Sequence, residues 1–227
     1  MSIMKDYLFI IDPQYDFIEG GNLPVSGGKE ALDNIVNSGI LDRDWDGIFV
    51  TIDTHYQSNF CFENSKKTEL MRDLYEDVKG IKKWPVHCLK DTHGWEIYKP
   101  LYDKLKEINV IKYFLKGEED DKESYSAFLY GDGSFNESNI GKFLDFISSK
   151  EPIRIFYTGL AEDYCVLETI KSLVKFYKER SKYDPNYPEW EHVLISNMTS
   201  PIDSRELVDE KYSEISRYNF FKTKFSF

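Results

Sequence analysis

Six side chains stand out for the chemistry they can do. Asp12 opens the stretch DPQYDF, Asp53 and His55 share IDTH, and His87 sits in WPVHC. Lys116 precedes a glycine in LKG, and Cys165 closes TGLAEDYC. A thiol is a nucleophile as its thiolate, a form favoured at a helix start and beside a cation. Cys165 leads into a stretch of helical spacing, Lys116 is the candidate cation, and Asp12 is the candidate base for the thiol proton. Each also has a plainer reading. A lone cysteine is often a small buried hydrophobe, a strand-ending aspartate often caps a turn, and Lys116 runs into the polar KGEEDDKES. Cys61 and Cys88 keep the buried, apolar reading.

The second chemistry is metal binding. In an extended stretch, Asp53-x-His55 sends two ligands to one side, and His87 returns after a long loop. One aspartate with two histidines suits zinc, with iron or manganese as alternatives, and leaves positions open for water. His93 and His192 have no such company and read as surface or loop histidines.

These residues need elements to bring them together. Five apolar runs read as buried strands: Tyr7–Ile11, Ile48–Ile52, Val110–Phe114, Ile153–Thr158 and Val193–Ser196. Most are continuous rather than alternating, as parallel strands covered on both faces are. Helical spacing falls between them, at 27–41, Pro100–Ile108, Ile140–Ile147 and Val166–Tyr177. Strands alternating with helices imply an α/β fold with a parallel sheet between two helical layers. Asp12, Asp53, Lys116 and Cys165 then follow the carboxyl ends of four successive strands, the edge where open α/β sheets bind ligands. Two stretches, 54–95 and 181–190, read as loops, and the first is long enough to expect a functional role. The aromatic tail RYNFFKTKFSF (217–227) suits packing on the domain or a subunit contact, which leaves a homo-oligomer open.

Bulk properties narrow the classes. With 227 residues, 41% of them hydrophobic and 16% aromatic, the chain can hold one α/β domain over 1–227 with a real core. A net charge of −11 disfavours phosphate backbones, so no nucleic-acid partner is expected. Three cysteines are too few and too odd in number for a disulfide framework, and they suit a reducing compartment. No run approaches a membrane span or a signal peptide, so a cytoplasmic location and no membrane partner are expected.

Taken in order, DPQYDF, TIDTH, WPVHC, KG with YSAF (125–128), and GLAEDYCV resemble the nicotinamidase/pyrazinamidase branch of the isochorismatase-like cysteine hydrolases. The match runs from residue 7 to about 175. The resemblance implies a three-layer α/β/α sandwich around a mainly parallel six-stranded sheet, and an Asp12–Lys116–Cys165 triad. It implies a cis peptide at Leu160–Ala161 that turns the Ala161 amide toward that of Cys165 to form an oxyanion hole. It also implies a divalent metal, zinc first, on Asp53, His55 and His87. Where the family often writes DxHxxxH this chain has Asn59, so the fourth ligand falls to Asn59, to nearby Glu63 or to water. The implied substrate is a small aromatic amide, nicotinamide, within reach of Phe17, Trp84, Tyr125, Leu160 and Tyr164. The implied products are nicotinate and ammonia, formed through a cysteine thioester. Two other readings remain open at this stage. One is a relative acting on another amide, carbamoyl or vinyl-ether substrate, and the other is a non-catalytic binding protein on the same fold. Beyond Cys165 the match thins: NMTSPIDSRE (197–206) departs from the pattern and 179–191 reads as an insertion.

Overall fold

The structure is a computed structural model that describes residues 4–63, 83–120, 122, 124–147 and 150–225. Part of the long loop expected over 54–95, residues 64–82, lies outside the described residues, as do 121 and 123 of the polar run after Lys116. Six strands form one sheet: β1 (Lys5–Ile11), β2 (Gly47–Asp53), β3 (Ile111–Lys116), β4 (Ile153–Leu160), β5 (Trp190–Ser200) and β6 (Phe220–Thr223). Their order is β3-β2-β1-β4-β5-β6. Each neighbouring pair is parallel. The order reverses between β1 and β4, which opens a crevice at the carboxyl ends of those strands.

The described helices are α1 (Gly28–Asn37), α2 (Lys99–Leu105), α3 (Glu137–Phe146), α4 (Leu167–Tyr183) and α5 (Arg205–Ser213). The two-residue period of a strand assigns them to layers. Tyr7, Phe9 and Ile11 of β1 face a core shared with Phe143 of α3, Ile170 and Leu173 of α4, and Val208 of α5. Leu8 and Ile10 face the opposite core with Leu32 and Ile35 of α1 and Leu101 and Leu105 of α2. Burying each such side chain stabilises the fold by roughly 1.5–3 kcal/mol. Phe9 is the hub of the first core, with ring centroids 4.8 Å from Phe49 and 5.7 Å from Tyr157. Both faces of the central strands are therefore sealed, and the polar ends of the strands are the part left to carry chemistry.

The structure adds elements that periodicity does not announce. The tail supplies β6, which pairs with β5 from His192↔Phe220 to Ile195↔Thr223. Helix α5 starts at the end of the segment that departs from the family pattern, 197–206, and buries only Val208 and Tyr212. The stretch expected as an insertion, 179–191, takes in the end of α4, a turn in which Tyr187 covers Trp190 at 6.0 Å, and the start of β5. His192 is a correction: it is 1% exposed, on β5, not a surface or loop residue. His93 is exposed, as expected. No helix among the described residues is long and apolar enough to cross a membrane.

Candidate active site

Register builds the floor of the site. Asp53 and Lys116 are Cα partners at the ends of β2 and β3, so their side chains leave the sheet on the same side. Ile11 pairs with Thr51 on one side and Gly159 on the other, which sets the next residue, Asp12, between the same strands. Asp12 takes a left-handed φ of 45° and accepts a 2.6 Å hydrogen bond from the Thr51 hydroxyl at Oδ1. A residue other than glycine in that region is uncommon and is held there by its surroundings. Gly159 is the close approach that makes this geometry fit. Its φ is 102°, and a Cβ there would stand 2.1 Å from the Ile11 carbonyl oxygen.

Lys116 is the centre of the cluster. Its Nζ lies 3.0 Å from Asp12 Oδ2, 2.8 Å from Asp53 Oδ1 and 3.6 Å from Cys165 Sγ. Lys116 is 4% exposed, so the surface-charge reading does not hold. Burial disfavours its charge, but the Asp12 and Asp53 carboxylates outweigh burial and hold its pKa well above the usual lysine range. Burial and the nearby Asp53 raise the Asp12 carboxyl, against the pull of Lys116. Asp53 is also desolvated, yet His55 and Lys116 hold it well below the usual carboxylate range. Burial pushes the Cys165 thiol well up, Lys116 opposes this, and the two aspartates add to it. The sulfur therefore rests as a thiol beside a carboxyl whose own proton affinity is raised.

Cys165 lies ahead of α4, in a single π-turn over Glu162–Val166. Such turns recur at functional sites. The Leu160–Ala161 peptide before it is cis. The Ala161 carbonyl accepts the N–H groups of Tyr164 (3.2 Å) and Val166 (3.1 Å), which ties the turn around Cys165 to the end of β4.

Asp53, His55 and His87 offer ligand atoms that all lie within 4.8 Å of one another, and all three are buried. Their second hydrogen bonds identify which atoms face inward. His55 Nδ1 is 3.0 Å from the Gly117 carbonyl, and His87 Nδ1 is 2.8 Å from that of Pro85. Each Nδ1 faces a backbone carbonyl, which leaves each Nε2 as the ring atom turned to the cluster. Both Nε2 atoms face Asp53 Oδ2, at 3.0 and 3.3 Å. Two imidazole nitrogens and a carboxylate oxygen gathered at one point are a donor set that fits a divalent cation. Gly117 completes the cradle: its φ is 74°, and a Cβ would stand 2.6 Å from His55 Cε1.

The two candidates for a fourth ligand fall away. Asn59 is buried on the Nδ1 side of His55, where its amide donates to the Gly117 (3.2 Å) and Glu119 (3.3 Å) carbonyls and its oxygen accepts the Cys61 N–H. It braces the loop behind the histidine. Glu63 is exposed and stands outside the cluster.

Above the cluster is a pocket of about 390 Å³ including its open mouth. Phe17, Trp84, Tyr125, Ala161 and Tyr164 line it together with Asp53, His55, His87, Lys116 and Cys165. The Trp84 indole N–H donates to Tyr125 Oη at 3.0 Å, and the Trp84 and Tyr164 rings meet edge to face at 5.1 Å. Leu160 is a correction. It is fully buried in the core on the α1 side and does not line the pocket.

Sequence reasoning missed two walls, Leu23 and Ile202. It also missed two positioning residues within DPQYDF. The Gln14 amide clamps Asp53 by accepting its N–H and donating to its carbonyl, both at 2.8 Å. Asp16 accepts the Cys88 N–H at 2.6 Å and so fixes the segment that carries His87. A polar side chain recurring every second residue after a strand was the available signal.

No family model matches the chain. The nicotinamidase of Saccharomyces cerevisiae is 28% identical over 229 residues, covering 93% of this chain and 96% of that protein. Among solved structures, an L. infantum protein in complex with nicotinate superposes with a TM-score of 0.72 at 22% identity, covering 99% of this chain and 96% of that one. The Pyrococcus horikoshii pyrazinamidase in complex with zinc gives 0.64 at 21% identity, covering 97% and 99%. Sheet order and likeness together define the class, an α/β protein with the fold of solved nicotinamidase and pyrazinamidase structures. The sequence is also similar to the nicotinamidase of Escherichia coli, 28% identical over 168 residues, covering 72% of this chain and 73% of that protein.

Proposed function

We propose that the chain is an amide hydrolase that converts nicotinamide to nicotinate and ammonia at Cys165. The observation that carries this reading is one ammonium, Lys116 Nζ, within 3.6 Å of a carboxylate, a second carboxylate and a thiol at the base of an aromatic-walled pocket. The yeast relative is named a nicotinamidase, and a structural neighbour holds nicotinate.

In this mechanism Phe17, Trp84, Tyr125 and Tyr164 sandwich the pyridine ring and set the carboxamide over Cys165. Sγ attacks the carboxamide carbon as Asp12 takes the thiol proton. The C=O bond becomes an oxyanion, which accepts hydrogen bonds from the Ala161 and Cys165 N–H groups. Removing one such donor costs about 3 kcal/mol in comparable sites. The C–N bond then breaks, Asp12 returns the proton to nitrogen, and ammonia leaves. Water, deprotonated by Asp12, cleaves the thioester to nicotinate and restores the thiol. Lys116 keeps Asp12 and Sγ in register throughout and balances the charge that develops between them.

Asp53, His55 and His87 would hold a divalent ion, zinc before iron or manganese on the chemistry of two imidazoles and one carboxylate. When bound, it would supply Lewis-acid chemistry to a ligand in the pocket. Gln14, Asp16, Asn59 and Gly117 keep those ligands in place. The test is ammonia release over a panel of small aromatic and aliphatic amides, before and after treatment with a chelator. Nicotinamide is expected to be among the best substrates, with activity falling on chelation and returning with added metal. Turnover of aliphatic amides alone would contradict the reading.

A further inference from the structure

The outer rim of the pocket is built from a segment outside the family motifs, and it is tied directly to the turn that carries the nucleophile. Ile202 lines the pocket while remaining 36% exposed, a large aliphatic side chain standing at the mouth. Its position is set two residues before Cys165. The Asp163 side chain is fully buried, and its two oxygens accept consecutive backbone N–H groups, Oδ1 from Ile202 at 2.9 Å and Oδ2 from Asp203 at 2.8 Å. Asp203 then reaches back, accepting the Tyr164 hydroxyl at 3.3 Å and Lys211 Nζ at 2.7 Å. Lys211 also lies over the Tyr164 ring, 4.3 Å from its centroid. The neighbouring Glu162 is held in the same way, by a two-pronged pair with Arg205 at 2.8 and 3.0 Å, and its carbonyl by the Tyr212 hydroxyl. A ring of bonds thus runs from the nucleophile turn to Ile202 and Asp203 and back to Tyr164, which stands beside Cys165 and walls the pocket.

A buried carboxylate is costly unless its hydrogen bonds are met, and a hydrogen bond with a charged partner is stronger and shorter than a neutral one. Asp163 spends both oxygens on two adjacent main-chain donors, which fixes where that backbone lies relative to Sγ. An asparagine there keeps one acceptor and turns an NH2 group toward the other donor, so one bond is lost and the segment is free to swing outward.

We propose that Asp163 is a positioning residue that sets the width of the pocket: by holding residues 202–203 it keeps Ile202, and through Asp203 Tyr164, close enough across the mouth to admit a flat single-ring amide and exclude a fused two-ring one. This rests on the reading of the pocket as an aromatic-amide site.

The experiment compares wild type with Asp163→Asn, Asp203→Ala and Ile202→Ala, each checked for folding by circular dichroism. Ammonia release is measured with nicotinamide and with quinoline-3-carboxamide. In parallel, mass spectrometry follows the rate at which Cys165 is labelled by iodoacetamide and by a naphthyl maleimide. In each variant the ratio of kcat/KM for the two-ring amide over nicotinamide should rise about tenfold or more, mainly through KM, as a relaxed wall admits a larger group. The ratio of bulky to small labelling should rise with it. Ratios within about twofold of wild type, or an equal loss of kcat on both amides, overturn the proposal and leave Asp163 a merely structural residue. If wild type hydrolyses neither amide, the functional reading falls, and the labelling ratios still decide whether Asp163 sets the wall. If Asp163→Asn does not fold, Asp203→Ala, which cuts the same ring at Tyr164, gives the decision by the same readouts.

Discussion

At the scale of residues, Lys116 holds the account together. Among the described residues it is the lysine that reaches Asp12, Asp53 and Cys165 together, and it pulls the pKa of each of them down. Lys116→Met keeps the volume and removes the charge, leaving two buried carboxylates facing each other. The expected result is a loss of about 3 kcal/mol or more in urea unfolding at neutral pH, as when one partner of a buried ion pair is removed, together with loss of turnover. Asp12, with a raised folded-state pKa, relieves the strain by taking up a proton, so the deficit shrinks as pH falls and grows as it rises. A variant as stable as wild type at neutral pH would contradict this. Gly117 gives a second prediction. Gly117→Ala places a Cβ against His55 Cε1 at a left-handed φ of 74°, so the imidazole or the turn must shift. Zinc affinity, read by competition with a chromophoric chelator, should fall by about 10- to 100-fold, the usual effect of disturbing a residue behind a ligand. Unchanged affinity would mean that this histidine is not positioned by the turn.

At the scale of elements, the strand ends decide what meets what, and most of them were legible. Continuous apolar runs marked five strands because strands covered on both faces have no polar side to interrupt them. Strand β6 was not legible: it is a short edge strand whose pattern is one partly buried and three exposed residues, with no apolar face to betray it. Helix α5 escaped for a similar reason, since two buried residues in nine make a weak stripe. His192 escaped because burial on an inner strand depends on partners, and it is β6 and the turn before it that cover β5. Its environment makes a prediction. His192 hydrogen-bonds the Tyr157 hydroxyl at 2.7 Å, and burial pulls its pKa from 6.5 to about 3. Its proton is bound in the unfolded chain below pH 6.5 but not in the fold, so this contribution to stability is intact above that pH and is lost as pH falls toward 3. Between pH 7 and pH 5 it removes roughly 2 kcal/mol. His192→Gln should be less stable than wild type at pH 7 and lose less on acidification. An equal loss in both proteins, by denaturant titration at the two pH values, would refute the assignment.

At the scale of the whole molecule, the site is assembled from segments that begin at Asp12 and end beyond Ile202, with a parallel sheet as the device that gathers them. Asp12, Asp53 and Lys116 were legible because each closes or directly follows an apolar run, so the ends of those strands could be read from sequence. The rim was not, because Leu23 and Ile202 reach the pocket only through long-range packing, and Asp163 reads as an ordinary polar residue until both its oxygens are traced. Asn59 was misread for a related reason: sequence places it four residues from His55, but only coordinates show which ring nitrogen it faces. The central claim is that this assembly makes a covalent bond between Cys165 and an amide carbon. The most direct measurement is intact-protein mass spectrometry after acid quenching during turnover of nicotinamide, followed by peptide mapping. A nicotinoyl group should be found on the peptide carrying Cys165, and Cys165→Ala should show no adduct and lose ammonia release by at least about a thousandfold. Undiminished ammonia release from Cys165→Ala would contradict the account.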